Sequence, residues 1–180
     1  MISKMTDRWT PPQALSEALP VRPPIPSGRS RQRYAASGGT DLVGYVPGAF
    51  DLFHIGHLNL LRRVRLECDR LIAGVVSDDV ALAQKGRLPV VPEDERLEIV
   101  ASLDLVDGVH LETTTDKLAT WEQVRFDLIF KGDDWLGSPK WTALERDFAD
   151  RGVRVVYLPY TRHVSTTLLR PHAPGTTPDV

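Results

Sequence analysis

The chain has 180 residues, one cysteine, and 22 basic against 24 acidic side chains, a formal net charge of -2. That balance supplies no basic field for holding duplex nucleic acid by phosphate neutralisation, and a lone cysteine, Cys68, excludes an internal disulfide framework and a cysteine-based zinc cluster. With 42% hydrophobic residues, the length allows one compact α/β domain with its own core and a tail.

The opening stretch, MISKMTDRWTPPQ, is polar and then proline-rich, and no long apolar run occurs in the chain. We therefore expect a soluble, cytoplasmic protein that does not engage a membrane. The following PVRPPIPSGRSRQRYAASGG is rich in Pro, Arg, Ser and Gly and has no apolar period able to bury a face. Residues 1–40 are expected to be a disordered basic arm, with an arm that binds a partner as the alternative. The domain is expected over 41–172, followed by a flexible tail over 173–180.

From Asp41 onward, short β-rich runs alternate with helix-like segments: LVGYV (Leu42 to Val46), RLIAGVV (Arg70 to Val76), VDGVHL (Val106 to Leu111), FDLIF (Phe126 to Phe130) and VRVVYL (Val153 to Leu158). Between them, HLNLLRRVRLE is apolar at Leu58, Leu61 and Val64, and PEDERLEIVASL opens on Pro92 and three acids. SPKWTALERDFADRG has Ser138 as its expected N-cap, Pro139 at the first helical position and Gly152 as its stop. The pattern predicts an α/β fold, a Rossmann-like, doubly wound, five-stranded parallel sheet with helices on both faces. Its ligand crevice lies beyond the carboxyl ends of the strands. PGAFDLFHIGH, VSDD, KGDDW and PYTRHVSTT each follow a strand and so converge there.

In VPGAFDLFHIGH, Val46 to His57, two histidines stand at the seam between a strand and a helix. A helix N-terminus offers unpaired amides and a positive dipole end, which suit phosphate. Gly48 and Gly56 permit close backbone approach, and His54 and His57 can aim donors at phosphate oxygens. Two histidines at i, i+3 without a Cys or His partner nearby make a poor zinc set, and histidines that merely cap the helix are the plainer alternative.

His54-Ile-Gly-His57 after Phe50-Asp-Leu-Phe, KGDDW from Lys131 to Trp135, and Ser165-Thr-Thr beyond the last strand occur in that order. Together they resemble the HxGH nucleotidyltransferase superfamily, its cytidylyltransferase branch, and within that the glycerol-3-phosphate cytidylyltransferases. The likeness runs from about Leu42 to Arg170. It implies transfer of CMP from CTP to a small phosphomonoester or phosphonate, with release of pyrophosphate, in a homodimer. Magnesium would arrive with the triphosphate, since no dedicated metal cluster is visible.

By the same resemblance, His54 and His57 contact the triphosphate and stabilise the transition state, with Lys85 and Thr166 beside them. Ala49, Phe50, Gly56, Arg87, Asp134, Trp135, Tyr160, Thr161, Ser165, Thr166 and Thr167 take nucleotide-binding positions. Asp78, Lys85, Arg96, Lys117 and Arg162 take acceptor-binding ones, while Asp51 is expected to stabilise its turn rather than react. The family pattern is broken at Tyr160 and Asp104, where related enzymes carry arginine, and at His163, where they carry glycine. Arg162 stands close enough in sequence to supply part of that charge. Two other functions stay open. One is adenylyl transfer from ATP to a sugar phosphate, of which KGRLPVVPEDER is reminiscent; the other is a non-catalytic nucleotide-binding module.

Overall fold

The computed structural model describes residues 41–159 together with Leu169. The expected arm over 1–40, the tail over 173–180, and the stretch carrying Tyr160, Thr161, Arg162, His163, Ser165, Thr166 and Thr167 lie outside the described residues. Among the described ones the order is β1 (Val43–Gly48), α1 (Ile55–Glu67), β2 (Arg70–Val76), α2 (Asp78–Lys85), α3 (Glu93–Ala101), β3 (Gly108–Glu112), α4 (Lys117–Val124), β4 (Leu128–Gly132), a single 3-10 turn (Asp133–Trp135), α5 (Pro139–Ala149) and β5 (Arg154–Leu158). All neighbouring strands pair in parallel, in the spatial order β3-β2-β1-β4-β5. This is the doubly wound sheet the alternating pattern predicts.

Alternation along the strands sorts the core into two layers. Val46, Leu71, Ala73, Val75, Leu128 and Phe130 pack with Leu61 and Val64 of α1 and Val100 of α3. Tyr45 and Ile129, one residue out of step, pack on the other face with Trp141 and Phe148 of α5 and with Leu118 and Trp121 of α4. Both faces are covered, as an all-parallel sheet requires.

Strand ends depart from the sequence reading in instructive ways. β1 runs on to Gly48 through Pro47, a residue that reads as a strand stop. It pairs with β2 over its whole length but with β4 only at Gly44 and Tyr45. β4 in turn pairs with β5 as far as Gly132. Beyond Tyr45 and Ile129 the two central strands therefore part, and the missing N–H of Pro47 faces a gap rather than a ladder. That gap is the crevice at the topological switch point.

β3 and β4 start two residues later than their apolar runs. Asp107 and Asp127 are turn residues whose carboxylates accept from the backbone N–H of Leu71 and Val43. α5 starts at Pro139 as expected, but the Ser138 hydroxyl makes no capping bond and is buried without a partner. α2 is capped by Ser77, whose hydroxyl accepts from Val80 N, so Asp78 is the first helical residue and not the cap.

Candidate active site

The loop from β1 to α1 is unusual in its backbone. Phe50 and Leu52 both lie in the left-handed region, with φ of 52° and 46°, where side chains with a Cβ are disfavoured. Three anchors hold them there. The Phe50 ring is buried in the core over Gly48, where an added Cβ would lie 3.1 Å from it. The Asp51 carboxylate accepts from both Val90 N and Val91 N at 3.0 Å. The Ala49 carbonyl accepts from Arg96 Nη1 at 2.5 Å. Asp51 thus has the structural role expected of it, and it does so by tying this loop to the one that precedes α3.

Arg96 corrects an expectation. It was expected to reach the acceptor, yet it is among the most buried side chains of the protein. Its guanidinium donates to the carbonyls of Val91, Ala49 and Val76 and to Asp78 Oδ1 at 2.6 Å. Asp78, also placed with the acceptor on sequence grounds, answers that charge, and its own N–H donates to Glu93 Oε2. The reason lies in α3, whose first turn faces inward under the carboxyl ends of β1 and β2. Arg96 is a clasp for three loops there, a positioning residue beneath the site.

That loop delivers His54 as the N-cap of α1 and His57 one turn in. His54 Nδ1 accepts from Gly56 N at 3.0 Å, and the His54 backbone N–H approaches His57 Nδ1 at 3.4 Å. With both Nδ1 atoms turned to backbone donors, each neutral imidazole carries its proton on Nε2. The rings stack 3.9 Å apart at 24°. Burial lowers the pKa of both, and the neighbouring imidazole adds to it for His57, which falls to about 3 against an ordinary 6.5. Two neutral rings thus present Nε2–H donors beside the amides of a helix N-terminus, without spending charge before an anion arrives.

On the other face of the sheet a second polar set reaches the same crevice. The Glu112 carboxylate, fully buried at the end of β3, accepts from the Tyr45 hydroxyl at 2.8 Å and from Lys117 Nζ at 2.8 and 2.7 Å. Gly74 makes room for it, since a Cβ there would sit 2.0 Å from the tyrosine oxygen. Lys131 Nζ lies over the rings of Trp135 and Trp141, 4.7 and 5.7 Å from their centroids. Lys85, exposed at the end of α2, is electrostatically coupled both to His57 and to Lys131 and so stands between the two sets.

Of the described residues expected at the site, the structure gathers Ala49, Phe50, His54, Gly56, His57 and Lys85 on one side and Lys117 and Trp135 on the other. Asp134 and Arg87 are exposed, on the 3-10 turn and on the loop after α2. The sequence reading singled out neither Tyr45 nor Glu112, and took in Lys131 only as the first residue of KGDDW. A lone acid ending an apolar strand and a lysine doing the same were the available signals. Among the described residues no three His, Cys, Asp or Glu side chains are grouped so as to hold a metal ion, and no helix is long and apolar enough to cross a membrane.

A doubly wound parallel sheet with a capped histidine pair at the switch point defines a nucleotide-binding α/β class. The chain matches the cytidylyltransferase-like family over residues 45–171 and belongs to it. Glycerol-3-phosphate cytidylyltransferase of Bacillus spizizenii is 35% identical over 124 residues, 68% of this chain and 90% of that protein. The bifunctional protein HldE of Hyphomonas neptunium is 31% identical over 140 residues, 77% of this chain but only 28% of that protein. The crystal structure of a lipopolysaccharide core biosynthesis protein from Thermoplasma volcanium GSS1 superimposes with a TM-score of 0.58 at 24% identity. The match covers 69% of this chain and all of that one, and it shows the shared fold.

Proposed function

We propose that this protein transfers a cytidylyl group from CTP to a small phosphomonoester or phosphonate and releases pyrophosphate. The carrying observation is the stacked histidine pair, whose Nδ1 atoms are occupied by backbone donors and whose Nε2–H groups remain for phosphate. Phosphoryl-type transfer asks for positioning and charge stabilisation rather than a protein nucleophile, and the substrate's own anionic oxygen attacks. His54, His57 and the amides around Gly56 would take the triphosphate, with Ala49, Phe50 and Arg87 along its path. Asp134 and Trp135 would wall the nucleotide, and Lys85 and Lys117 would meet the acceptor. Thr166 and its neighbours Tyr160, Thr161, Arg162, Ser165 and Thr167 keep the roles that the resemblance implies.

The described residues offer no ligand set for a resident metal ion. Magnesium would enter as the counter-ion of the triphosphate, with the lysine charge and the neutral imidazole donors around it as the protein's contribution. A homodimer and a cytoplasmic location complete the proposal; light scattering of the purified chain tests the first.

A second reading, in which ATP donates an adenylyl group to a sugar phosphate, rests on the stretch KGRLPVVPEDER, and the match to HldE, a relative not named for cytidylyl transfer, keeps other nucleotidyltransferase roles in view. A pyrophosphate-release screen of CTP and ATP against phosphate and phosphonate acceptors decides between them. Turnover with CTP alone supports the first reading and turnover with ATP alone the second. Nucleotide binding without pyrophosphate release overturns both.

A further inference from the structure

Among the described residues, Lys131 is a basic side chain at the carboxyl end of the sheet that the functional reading leaves without a task. It stands one residue before the end of β4, past the point where β1 and β4 cease to pair, and it shares a face with Ile129. Its neighbour Lys117 is neutralised by two bonds to the buried Glu112 carboxylate. Lys131 has no such acid: among the described residues its ammonium makes no ion pair and rests on the indole faces of Trp135 and Trp141. Lys117 and Lys85 both act on it as like charges. A half-buried cation beside two others, resting on aromatic faces with Asp134 and Glu112 acting on it only at a distance, is costly, and an apolar residue there would stabilise the protein more.

We propose that Lys131 binds the anionic group of the acceptor, forming with Lys117 and Lys85 a phosphate or phosphonate subsite walled by Trp135. The proposal rests on the transferase reading and deepens it. In an in-line displacement the attacking oxygen and the leaving pyrophosphate stand on opposite sides of the transferred phosphorus. Here the histidine pair and the N-terminus of α1 serve one side of the crevice, and Lys131, Lys117 and Trp135 open from the other face of the sheet. Lys85 borders both. An arriving phosphate dianion supplies the direct ion pair that Lys131 does not make among the described residues. Burial, with Lys117 next, lowers the Lys131 pKa, while Asp134 and Glu112 oppose the shift.

The test compares wild type with Lys131→Met, close in length and uncharged, and with Lys131→Arg. With the acceptor found in the screen, at saturating CTP, Lys131→Met should raise the acceptor KM about 10- to 100-fold, the worth of one charge-assisted bond. The CTP KM should stay within about threefold, and Lys131→Arg should recover most of the loss. Thermal melting of Lys131→Met should equal or exceed that of wild type. An unchanged acceptor KM, or a rise confined to CTP, overturns the proposal. Calorimetric titration with inorganic phosphate needs no turnover and keeps the two readings apart. If no acceptor reacts, the transferase reading falls, and Lys131 is then judged by phosphate alone. Weaker phosphate binding in Lys131→Met supports its role; equal affinity in both proteins, or none in either, refutes it.

Discussion

The two ends of the sheet are built on opposite rules. At the amino ends of the strands, acids close the backbone ledger: Asp69 accepts from Leu42 N, Asp107 from Leu71 N, and Asp127 from Val43 N, each fastening the start of one strand to its neighbour. Asp107 also takes Arg65 in an ion pair. At the carboxyl ends the backbone is held in left-handed turns, two imidazoles are kept neutral, and Lys131 has no ion-pair partner among the described residues. The amino end is satisfied and inert. The carboxyl end carries unspent donors and charge, which is where a doubly wound sheet takes its ligands.

Arg96 offers the sharpest way to break this contrast, because it belongs to the carboxyl end yet is satisfied like the amino end. Its removal leaves Asp78 without its counter-charge and the carbonyls of Ala49, Val76 and Val91 without a donor. Arg96→Met should cost on the order of 3–5 kcal/mol of stability, the usual loss when one partner of a buried pair is removed. Denaturant unfolding measures it. A variant with wild-type stability but a raised acceptor KM would return Arg96 to the substrate, as the sequence reading had it.

His57 stands for the unspent donors. His57→Ala should reduce turnover on the order of 10²- to 10³-fold, the effect of losing one preorganised donor to a developing charge. The midpoint of chemical unfolding should move little at neutral pH. Near-normal turnover in this variant would reduce the pair to a helix cap.

At the opposite end, Asp107→Ala leaves Leu71 N without its carboxylate acceptor and removes the Arg65–Asp107 ion pair, while Arg65 keeps its bond to the Asp69 carbonyl. We expect a stability loss of about 1–3 kcal/mol, the cost of an unsatisfied buried donor, with kcat and both KM values intact. A kinetic change without a stability change would erase the division of labour between the two ends.

Much of this was legible in the sequence. The alternation of β-rich runs with 3.6-periodic segments foretold five parallel strands, because both periods report burial directly. The histidine pair's place was legible because the strand stop, the glycine and the helix start that position it occupy the same few residues. Arg96 was placed with the acceptor because the resemblance carries an arginine at that position, and only the packing of α3 turns it inward onto the carbonyls of three loops. Tyr45 and Glu112 were missed because their partnership spans 67 positions and depends on a missing Cβ at Gly74. Lys131 went unassigned because a cation's lack of an acid is a property of three dimensions.

The smallest expected effect is on pH, and it isolates the neutral state of His57. Its pKa in the folded protein is about 3, lowered by burial first and by His54 second, with Asp51 opposing and Lys85 adding a little. An unfolded chain takes up that proton near the ordinary 6.5. Between those values the unfolded state binds more protons, so folding stability rises with pH through this window. The contribution of a neutral His57 is complete above pH 6.5 and declines as the pH falls towards 3. His54 shifts in the same direction and is present in both proteins to be compared. Glutamine keeps an uncharged side chain of similar reach and does not titrate. Against His57→Gln, wild type should therefore lose melting temperature faster as the pH is lowered from 7.5 to 5.0, and the gap between the two should close or invert in favour of the variant. Parallel pH profiles for the two proteins would show that His57 takes up its proton at the same pH in the folded and the unfolded chain. The imidazole would then gain charge below the ordinary 6.5, and the neutral Nε2–H donor on which the proposed mechanism rests would not persist there.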